Sequence, residues 1–185
     1  QIVIYINMNS FNSQLLNYCK SKNNRLCIGL DIDIDKLETK SISYMTKYIE
    51  EIIDATIEYC PIYKINFAFY EKLGSEGFSI LENIPKYIDS RSLVIADCKR
   101  GDIGNSSKYY AEAIFKTLNY DAITISPYMG EDSMEPFCQY KDKGVFILCL
   151  TSNPGSENFQ NKILDDEKLY IHVAKLALKM NINQN

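Results

Sequence analysis

Five short apolar runs alternate with amphipathic segments along the chain, and this alternation most constrains the fold. The apolar runs cover residues 26–31, 62–69, 93–97, 121–126 and 144–150. Between them, apolar residues recur at helical spacing, as Met45, Ile49 and Ile53 do. Uninterrupted apolar runs are typical of parallel strands covered on both faces. The sequence therefore predicts an α/β fold of repeated strand–helix units, either a doubly wound sheet or a (β/α)8 barrel.

The segments between the runs predict helices and their ends. A leading helix is predicted from the N-cap Ser10 to about Asn23, and Pro61 is expected to end the second helix. A third helix is expected to break at Pro85, because proline lacks the amide hydrogen that a helix interior uses. Further helices are predicted over residues 106–118, 131–141 and 165–180.

The residues at the ends of the predicted strands favour the barrel over the open sheet. The first strand–helix turn lacks a G-x-G-x-x-G motif and no G-x-x-x-x-G-K-[ST] motif occurs, so nucleotide-binding open sheets lose their strongest support. Functional-looking polar residues lie at or near the ends of the first, second, third and fifth runs, as expected where strand ends converge at a barrel mouth. We therefore expect a (β/α)8 TIM barrel, of which this chain supplies about the first five βα units.

The densest group of charged residues comes directly after the third apolar run. Asp97 and Lys99 are two residues apart, so on a strand they share a face while Cys98 points to the opposite side. Two nearby glycines permit a sharp turn that brings Asp102 either back beside this pair or toward a neighbouring subunit. A D-x-K-x-x-D pattern alone favours an ordinary solvated strand end, because a short pattern of common residues arises easily by chance, so the rest of the chain must decide.

The second apolar run carries Lys64 and Asn66 on a common face by the same period-two rule. Polar side chains on a buried strand need partners. Either these two pair with each other or with the backbone, or they belong to a functional site.

Composition argues against several function classes. A net charge of −4 without a run of Lys or Arg argues against a nucleic-acid partner, and no apolar stretch approaches transmembrane length, so no membrane partner is expected. The six cysteines form no C-x-x-C pair and most lie in apolar runs, so we expect reduced, buried thiols in a cytoplasmic protein. His172 is the single histidine, which argues against Ser-His-Asp and Cys-His mechanisms.

Five segments together resemble the orotidine 5′-monophosphate decarboxylase family. They are Cys27–Asp31, Lys64–Phe69, Asp97–Asn105, Pro127–Gly130 and Thr151–Ser156. Their order and their positions at strand ends make the resemblance specific, and it extends from about Leu26 to Gln160. It implies a (β/α)8 barrel that converts orotidine 5′-monophosphate to UMP in de novo pyrimidine biosynthesis. It also implies a homodimer that uses neither a metal nor an organic cofactor.

The resemblance implies roles for individual residues. The family's alternating catalytic tetrad corresponds to Lys64, Asp97, Lys99 and Asp102, with Asp102 reaching into the partner subunit's site. Lys99 would be the proton donor. The implied substrate-binding residues are Asp31 and Asn66 near the ribose, Ser106 near it from the partner chain, Ser152 at the pyrimidine, and Ile103.

The resemblance also bears on the limits of the domain. The family's phosphate-binding loops, which include an arginine, come after the last two strands of the barrel, and this sequence ends at Asn185 before them. Residues 11–185 are therefore expected to form a C-terminally incomplete decarboxylase domain. Residues 1–10 are expected to be a linker or cut end, as would remain from a fused upstream orotate phosphoribosyltransferase domain in a bifunctional UMP synthase.

Two alternatives stay open. Metal-dependent phosphosugar lyases and aldolases, such as hexulose-phosphate synthase, share D-x-K-x-x-D but carry an acidic residue where Lys64 stands here. A lysine at that position would repel the Mg²⁺ that the acid helps to hold. The second alternative is an inactive barrel fragment, which the intact tetrad opposes and the missing strands favour.

Overall fold

The structure, a computed structural model, describes residues 10–181. The predicted linker over residues 1–10 therefore lies outside the described residues except for Ser10. The strands are β1 Cys27–Gly29, β2 Ile62–Asn66, β3 Leu93–Arg100, β4 Ala122–Ile125, β5 Gly144–Ile147, β6 Ile163–Leu164 and β7 Glu167–Lys168. The helices are α1 Phe11–Ser21, α2 Ile42–Thr56, α3 Ala68–Glu71, α4 Ser75–Ile88, α5 Gly104–Glu112, α6 Glu131–Cys138 and α7 Leu169–Met180. None of these described helices has the length and apolar character needed to cross a bilayer.

The first five strands form one parallel sheet in which each strand pairs with the strand before it in the chain. Strand order therefore equals sequence order across the described part of the chain. Consecutive βα units build the wall of a barrel in this order, whereas a doubly wound sheet reverses its order at a switch point. The prediction of about five barrel units is confirmed.

The larger hydrophobic core lies between the outer face of this sheet and the surrounding helices. Alternate strand residues point into it, including Tyr63, Ile65 and Ile123, which are fully buried. Helix α2 contributes Met45 and Ile49 at the spacing that the sequence predicted. Each such side chain contributes about 1.5–3 kcal/mol to stability when it is removed from water.

A smaller core lies on the inner face of the sheet, where the strands begin. It contains Ile62, Leu93, Ile95 and Ala122, and Phe11 of α1 packs against them. Gly144 belongs to the same contact, because a Cβ atom there would lie 2.5 Å from Phe11 Cδ1. Helix α1 therefore covers the amino ends of the strands and leaves their carboxyl ends open.

Strand β2 is shorter than the apolar run that predicted it. The run continues to Phe69, but the strand ends at Asn66 and helix α3 begins at Ala68. The Asn66 side chain accepts a hydrogen bond of 3.1 Å from the Ala68 amide, which turns the backbone into the helix. The apolar run continues past β2 because α3 is also packed into the core. Composition therefore could not separate the strand from the helix.

The predicted helix break at Pro85 is wrong. Helix α4 continues through Pro85 to Ile88 and ends where Asp89 adopts a left-handed conformation with φ +48°. Pro85 cannot donate to the Leu81 carbonyl, but the Tyr120 hydroxyl donates to that carbonyl at 3.0 Å. A side chain from the next layer thus replaces the missing amide.

The helix predicted over residues 165–180 begins only at Leu169. Residues 163–168 form the hairpin β6–β7, and Asp165 and Asp166 have φ of +47° and +63° at its turn. Two-residue hairpins with a type I′ turn require left-handed conformations at both central positions, and aspartate tolerates them. The helix predicted over 106–118 is divided into α5 and a π-helical turn at residues 113–117.

The cysteines are joined by no disulfide in the structure. Cys60 is fully buried as predicted, whereas the prediction of burial is wrong for Cys27, which is exposed. Cys27 lies on β1, which has a paired strand on only one side among the described residues, so this strand forms an edge of the sheet.

Candidate active site

The carboxyl ends of β1, β2 and β3 bring four of the predicted site residues into contact. Lys64 Nζ lies 3.4 Å from Asp31 Oδ2 and 3.3 Å from Asp97 Oδ2. Lys99 Nζ lies 2.5 Å from Asp97 Oδ1. Asp31, Lys64, Asp97 and Lys99 therefore form a continuous line of alternating charges, which we call the charge array.

Parallel pairing places these residues together. In the β2–β3 register, Asn66 lies opposite Asp97 and Lys64 lies opposite Ile95, so Lys64 and Asp97 point to the same face of adjacent strands. Asp31 lies just after β1, and its Oδ1 accepts a 3.1 Å hydrogen bond from the Asn66 amide. The predicted common face of Asp97 and Lys99 is confirmed by their contact.

Cys98 points away from the array, as the alternation predicted. It packs against the outer core, and burial raises the pKa of its thiol to about 12. The two faces of β3 are therefore chemically distinct: the charges of the array lie on one side and an apolar layer on the other.

Lys99 has an unusual backbone. Its φ of +47° lies in the left-handed region, and the register between β3 and β4 shifts between Ala96 and Arg100. A non-glycine residue in this region costs roughly 1–3 kcal/mol and persists only where its surroundings enforce it. Here the Lys99 amide donates to Thr124 Oγ1 at 3.0 Å.

Thr124 is a site residue that the sequence reasoning missed. Its hydroxyl donates a 3.0 Å hydrogen bond to Asp97 Oδ1 while accepting the Lys99 amide. It lies two residues after Ala122 and so shares the inner face of β4. The hydroxyl of Thr124 inside the fourth apolar run could have indicated a site residue. Threonine is also a common residue of strands, so the sequence alone did not distinguish the two roles.

Asp97 is the most buried member of the array. Its side chain is 11% exposed, whereas that of Lys99 is 48% exposed. Burial disfavours the charged form, but the hydrogen bonds from Lys99 and Thr124 and the two ammonium charges outweigh it and hold the pKa of Asp97 below its usual range. An ionised carboxylate therefore lies beneath two ammonium groups that remain accessible to a ligand.

The structure does not bring Asp102, Ile103 and Ser106 to the array of their own chain. Asp102 Oδ1 accepts the Ile103 amide at 2.8 Å, and Asp102 forms no ion pair within residues 10–181. Ile103 is 61% exposed and Ser106 lies exposed in the first turn of α5. Asp102 makes no hydrogen bond or ion pair with Asp97 or Lys99 of its own chain, so both positions considered for it stay predictions.

Asn66 and Ser152 also lack side-chain contacts with the array. The Asn66 side chain accepts the Ala68 amide, which is the backbone pairing that the sequence left open. Ser152 is exposed in the loop after β5, where Gln160 Oε1 accepts the neighbouring Thr151 amide at 2.7 Å. This loop borders a largely apolar cavity of about 360 Å³ between the ends of β4 and β5 and helix α7.

The array contains two cationic groups and two carboxylates but no preformed metal site. Across residues 10–181, no three His, Cys, Asp or Glu side chains are grouped to hold a metal ion. The space between Asp31 and Asp97 is taken by the Lys64 ammonium. The arrangement suits binding of an anion and delivery of a proton from an ammonium group.

Comparison with known sequences identifies a matching family and similar proteins. The pattern of the family described as Orotidine 5′-phosphate decarboxylase / HUMPS family matches residues 24–183. A protein of Dehalococcoides mccartyi named orotidine 5′-phosphate decarboxylase is 53% identical over 135 residues, which cover 73% of this chain and 49% of that protein. One of the same name from Christiangramia forsetii is 42% identical over 170 residues, covering 89% and 62%. The chain thus spans between 49% and 62% of the length of these relatives.

Solved structures give the same comparison in three dimensions. The OMP decarboxylase of Leishmania donovani superimposes with a TM-score of 0.86 at 40% identity, covering 95% of this chain and 68% of that one. The UMP synthase of the same organism superimposes with a TM-score of 0.85 at 40% identity, covering 95% and 38%. Both structures share the described fold across nearly all of this chain.

Proposed function

The chain belongs to the orotidine 5′-phosphate decarboxylase / HUMPS family, and from this premise we propose that it decarboxylates orotidine 5′-monophosphate to UMP in pyrimidine biosynthesis. The observation that carries the proposal is the contact of Lys64, Asp97 and Lys99 at the strand ends. Relatives that are 42% and 53% identical bear the decarboxylase name.

The reaction needs the chemistry that this array offers. The bond between C6 of the pyrimidine and the carboxyl carbon breaks, CO2 leaves, and the electron pair stays on C6. That carbanion has no neighbouring group to delocalise it, so fixed charges must stabilise it. The Lys99 ammonium would stabilise the pair and then transfer a proton to C6, and solvent would later restore the lysine.

Asp97 would have two effects on this step, one on Lys99 and one on the substrate. Its hydrogen bond holds the Lys99 ammonium in place, and its own charge would disfavour the substrate carboxylate more than the carbanion transition state. Lys64 would balance that charge from the other side. Asp31, Asn66, Ser152 and Ile103 are proposed to bind the ribose and pyrimidine, as the resemblance implied.

A homodimer with shared sites is part of the proposal. Asp102 lies in the signature of the site but makes no contact with its own array, and Ile103 and Ser106 beside it are exposed. Residues placed this way fit a role in the partner's site. Mixing Asp102→Ala with Lys99→Ala should then restore one of the two sites in each hybrid dimer, which is about a quarter of all sites after full exchange of a 1:1 mixture. Unchanged inactivity of the mixture, with subunit exchange demonstrated, would contradict shared sites.

The proposal extends to the compartment of the protein, its partners and a fused domain. The free thiols of the six cysteines support a cytoplasmic protein, and the net charge of −4 supports no nucleic-acid partner. We also propose that the protein does not bind a membrane. The likeness to a UMP synthase supports a fused upstream orotate phosphoribosyltransferase domain.

The metal-dependent phosphosugar alternative is less well supported. It needs an acidic residue where Lys64 lies, and the Lys64 ammonium is already held between two carboxylates. A divalent cation would have to displace that ammonium from Asp31 and Asp97.

Ultraviolet loss of orotidine 5′-monophosphate in excess chelator tests the proposed function. We expect turnover by the purified protein, its loss in Lys99→Ala, and its retention in Lys20→Ala, which removes an exposed lysine of α1. Folding of each variant is checked by thermal unfolding.

The contrary outcomes are distinct. A folded protein without turnover would contradict the decarboxylase proposal and favour the inactive fragment. Turnover of a phosphosugar that appears only with added Mg²⁺ would favour the metal-dependent alternative.

A further inference from the structure

Arg100 lies one residue beyond Lys99, and its side chain is held on the side of β3 opposite the charge array. It forms an ion pair with Glu71 at the end of α3. Its guanidinium carbon lies 5.8 Å from the ring centre of Phe67 and 5.5 Å from that of Tyr110. Aromatic faces on two elements and one carboxylate therefore fix the guanidinium group.

The Arg100 side chain is partly buried, with 23% of it exposed, and its surroundings do not satisfy all of its donors. Its Nε atom is buried and has no hydrogen-bond partner among the described residues. Nη1 donates a 3.4 Å hydrogen bond to the Cys98 carbonyl. A residue that only filled this space could be apolar, so the presence of a charged group here needs a reason.

The backbone on both sides of Lys99 depends on this anchor. Arg100 Nη1 reaches back to the Cys98 carbonyl, and the Arg100 carbonyl accepts the Ser126 amide at 2.7 Å. Between these two fixed points Lys99 holds its left-handed conformation, which directs its ammonium onto Asp97. Relaxation of that conformation would move the ammonium away from the carboxylate.

Glu71 connects the same anchor to the other lysine. Helix α3 starts two residues after Asn66, the end of the strand that carries Lys64. The Glu71–Arg100 pair thus joins the ends of β2 and β3 on the outer face, directly behind the Lys64–Asp97 and Lys99–Asp97 contacts on the inner face.

We propose that Arg100 is a positioning residue that, through its ion pair with Glu71, holds the backbone of Lys99 so that its ammonium stays on Asp97. Arg100 touches no reacting atom in this role. The proposal rests on the proposed function for its kinetic consequence, but the contact that it explains exists without substrate.

Kinetics of three variants provide the first test. Glu71→Gln keeps the shape and removes the charge, Arg100→Met keeps the apolar stem, and Arg100→Lys keeps the charge without the planar fork. We expect Glu71→Gln and Arg100→Met to lower kcat by roughly 10- to 100-fold with little change in KM, because the proton donor is displaced while binding groups remain. Arg100→Lys should retain more activity than Arg100→Met.

Two controls separate positioning from general stability. Lys86→Met removes an exposed ion pair with Glu82 on α4 and should leave kcat unchanged. The double variant Glu71→Gln/Arg100→Met should be no slower than the slower single variant, because both changes remove one interaction. Full additivity of the two losses would overturn the proposed pair.

A spectroscopic test does not depend on turnover. In protein labelled with ¹³C-lysine, the Lys99 Cε signal is assigned by its loss in Lys99→Arg. We expect Glu71→Gln and Arg100→Met to shift this signal in the same direction as Asp97→Asn does, and Lys86→Met to leave it in place.

The outcomes distinguish the two proposals. An inactive wild type whose Lys99 signal still responds to Glu71→Gln contradicts the decarboxylase and supports positioning. An active wild type whose folded Glu71→Gln variant keeps both kcat and the Lys99 signal overturns positioning alone. If Arg100→Met shows no cooperative thermal unfolding, it is not folded, and kcat and the Lys99 signal of Glu71→Gln alone then test the positioning proposal.

Discussion

At the scale of single residues, Asp97 is the point on which the charge array depends. It accepts hydrogen bonds from Lys99 and Thr124 and faces Lys64, so three groups from three strands meet at one carboxylate. These partners lower its pKa although burial opposes ionisation. The charged form of Asp97 therefore stabilises the fold more than the protonated form does.

This pKa shift predicts a pH-dependent contribution to stability. The folded-state pKa of Asp97 lies below its unfolded value of about 3.9, so its stabilisation is fully present above that value and is lost as the pH falls through the folded-state pKa. Asp97→Asn, which resembles the protonated form, should lower the free energy of unfolding by roughly 1–3 kcal/mol at pH 7 and by progressively less in acid.

Urea unfolding between pH 7 and pH 2 measures this difference. Glu58→Gln, which changes an exposed carboxylate in the turn after α2, serves as the control and should show little difference at any pH. A gap between wild type and Asp97→Asn that stays constant across the range would contradict the linkage to Asp97.

Residues of the site were predictable where the strand period alone decides. Lys64 and Asp97 are placed by alternation on adjacent parallel strands, and their contact is as expected. Lys99 also meets Asp97 as expected, but it does so from a left-handed backbone that the strand period does not describe. The role of Thr124 in the site was harder to predict, because threonine in an apolar run is typical of an ordinary strand residue. The place of Asp102 depends on the loop between β3 and α5, whose conformation no spacing rule describes.

At the scale of elements, helix α4 depends on its neighbour to pass through proline. The Tyr120 hydroxyl donates to the Leu81 carbonyl that Pro85 leaves without an amide, and Tyr120 is fully buried. Without this hydroxyl, a carbonyl inside the core would lack a donor.

We expect Tyr120→Phe to lower the free energy of unfolding by roughly 1–3 kcal/mol, because it leaves that carbonyl unsatisfied. The loss should be smaller in a Pro85→Ala background, where residue 85 can donate its own amide. Chemical denaturation of the two single variants and the double variant measures the coupling. Tyr59→Phe, at an exposed tyrosine, is the control, and strict additivity of the two changes would argue against the proposed replacement.

The existence of the elements was predictable, but several of their ends were not. Apolar runs located all five strands of the parallel sheet because each strand is covered by helices. The continuation of α4 past Pro85 required a partner 39 positions away in sequence. The hairpin at Asp165 and Asp166 was hidden because the same aspartates also suit the first turn of a helix.

At the scale of the whole molecule, Phe11 joins the leading helix to the sheet. It is 3% exposed, lies among the first residues of β2, β3 and β4, and meets Phe146 edge to face at a ring-centre distance of 6.0 Å. The small inner core has few other large side chains, so this one ring fills much of it.

Phe11→Ala should therefore lower the free energy of unfolding by roughly 3–5 kcal/mol through lost burial and a cavity at the amino ends of the strands. Leu16→Ala on the same helix should have little effect, because Leu16 is 59% exposed. Thermal or urea unfolding compares the two. Equal, small losses in both variants would mean that α1 does not stabilise the sheet.

The order of the strands was predictable from the repeated units, whereas the choice between a barrel and an open sheet needed the structure. Both folds begin with parallel βα units, and sequence alone favoured the barrel only through the polar residues at strand ends. The observed order β1-β2-β3-β4-β5 is the feature that separates the two.

Pairing of every strand with its predecessor has a consequence for synthesis on the ribosome. When β3 emerges, its partner β2 has already left the exit tunnel, and the same holds for β4 and β5. The sheet can therefore grow by addition at one edge, without waiting for a distant segment, and its contact order stays low for a parallel sheet. We expect one edge of the growing sheet to stay at β1 and the other to be always the newest strand, so that a pause in translation leaves a shorter sheet of the same order.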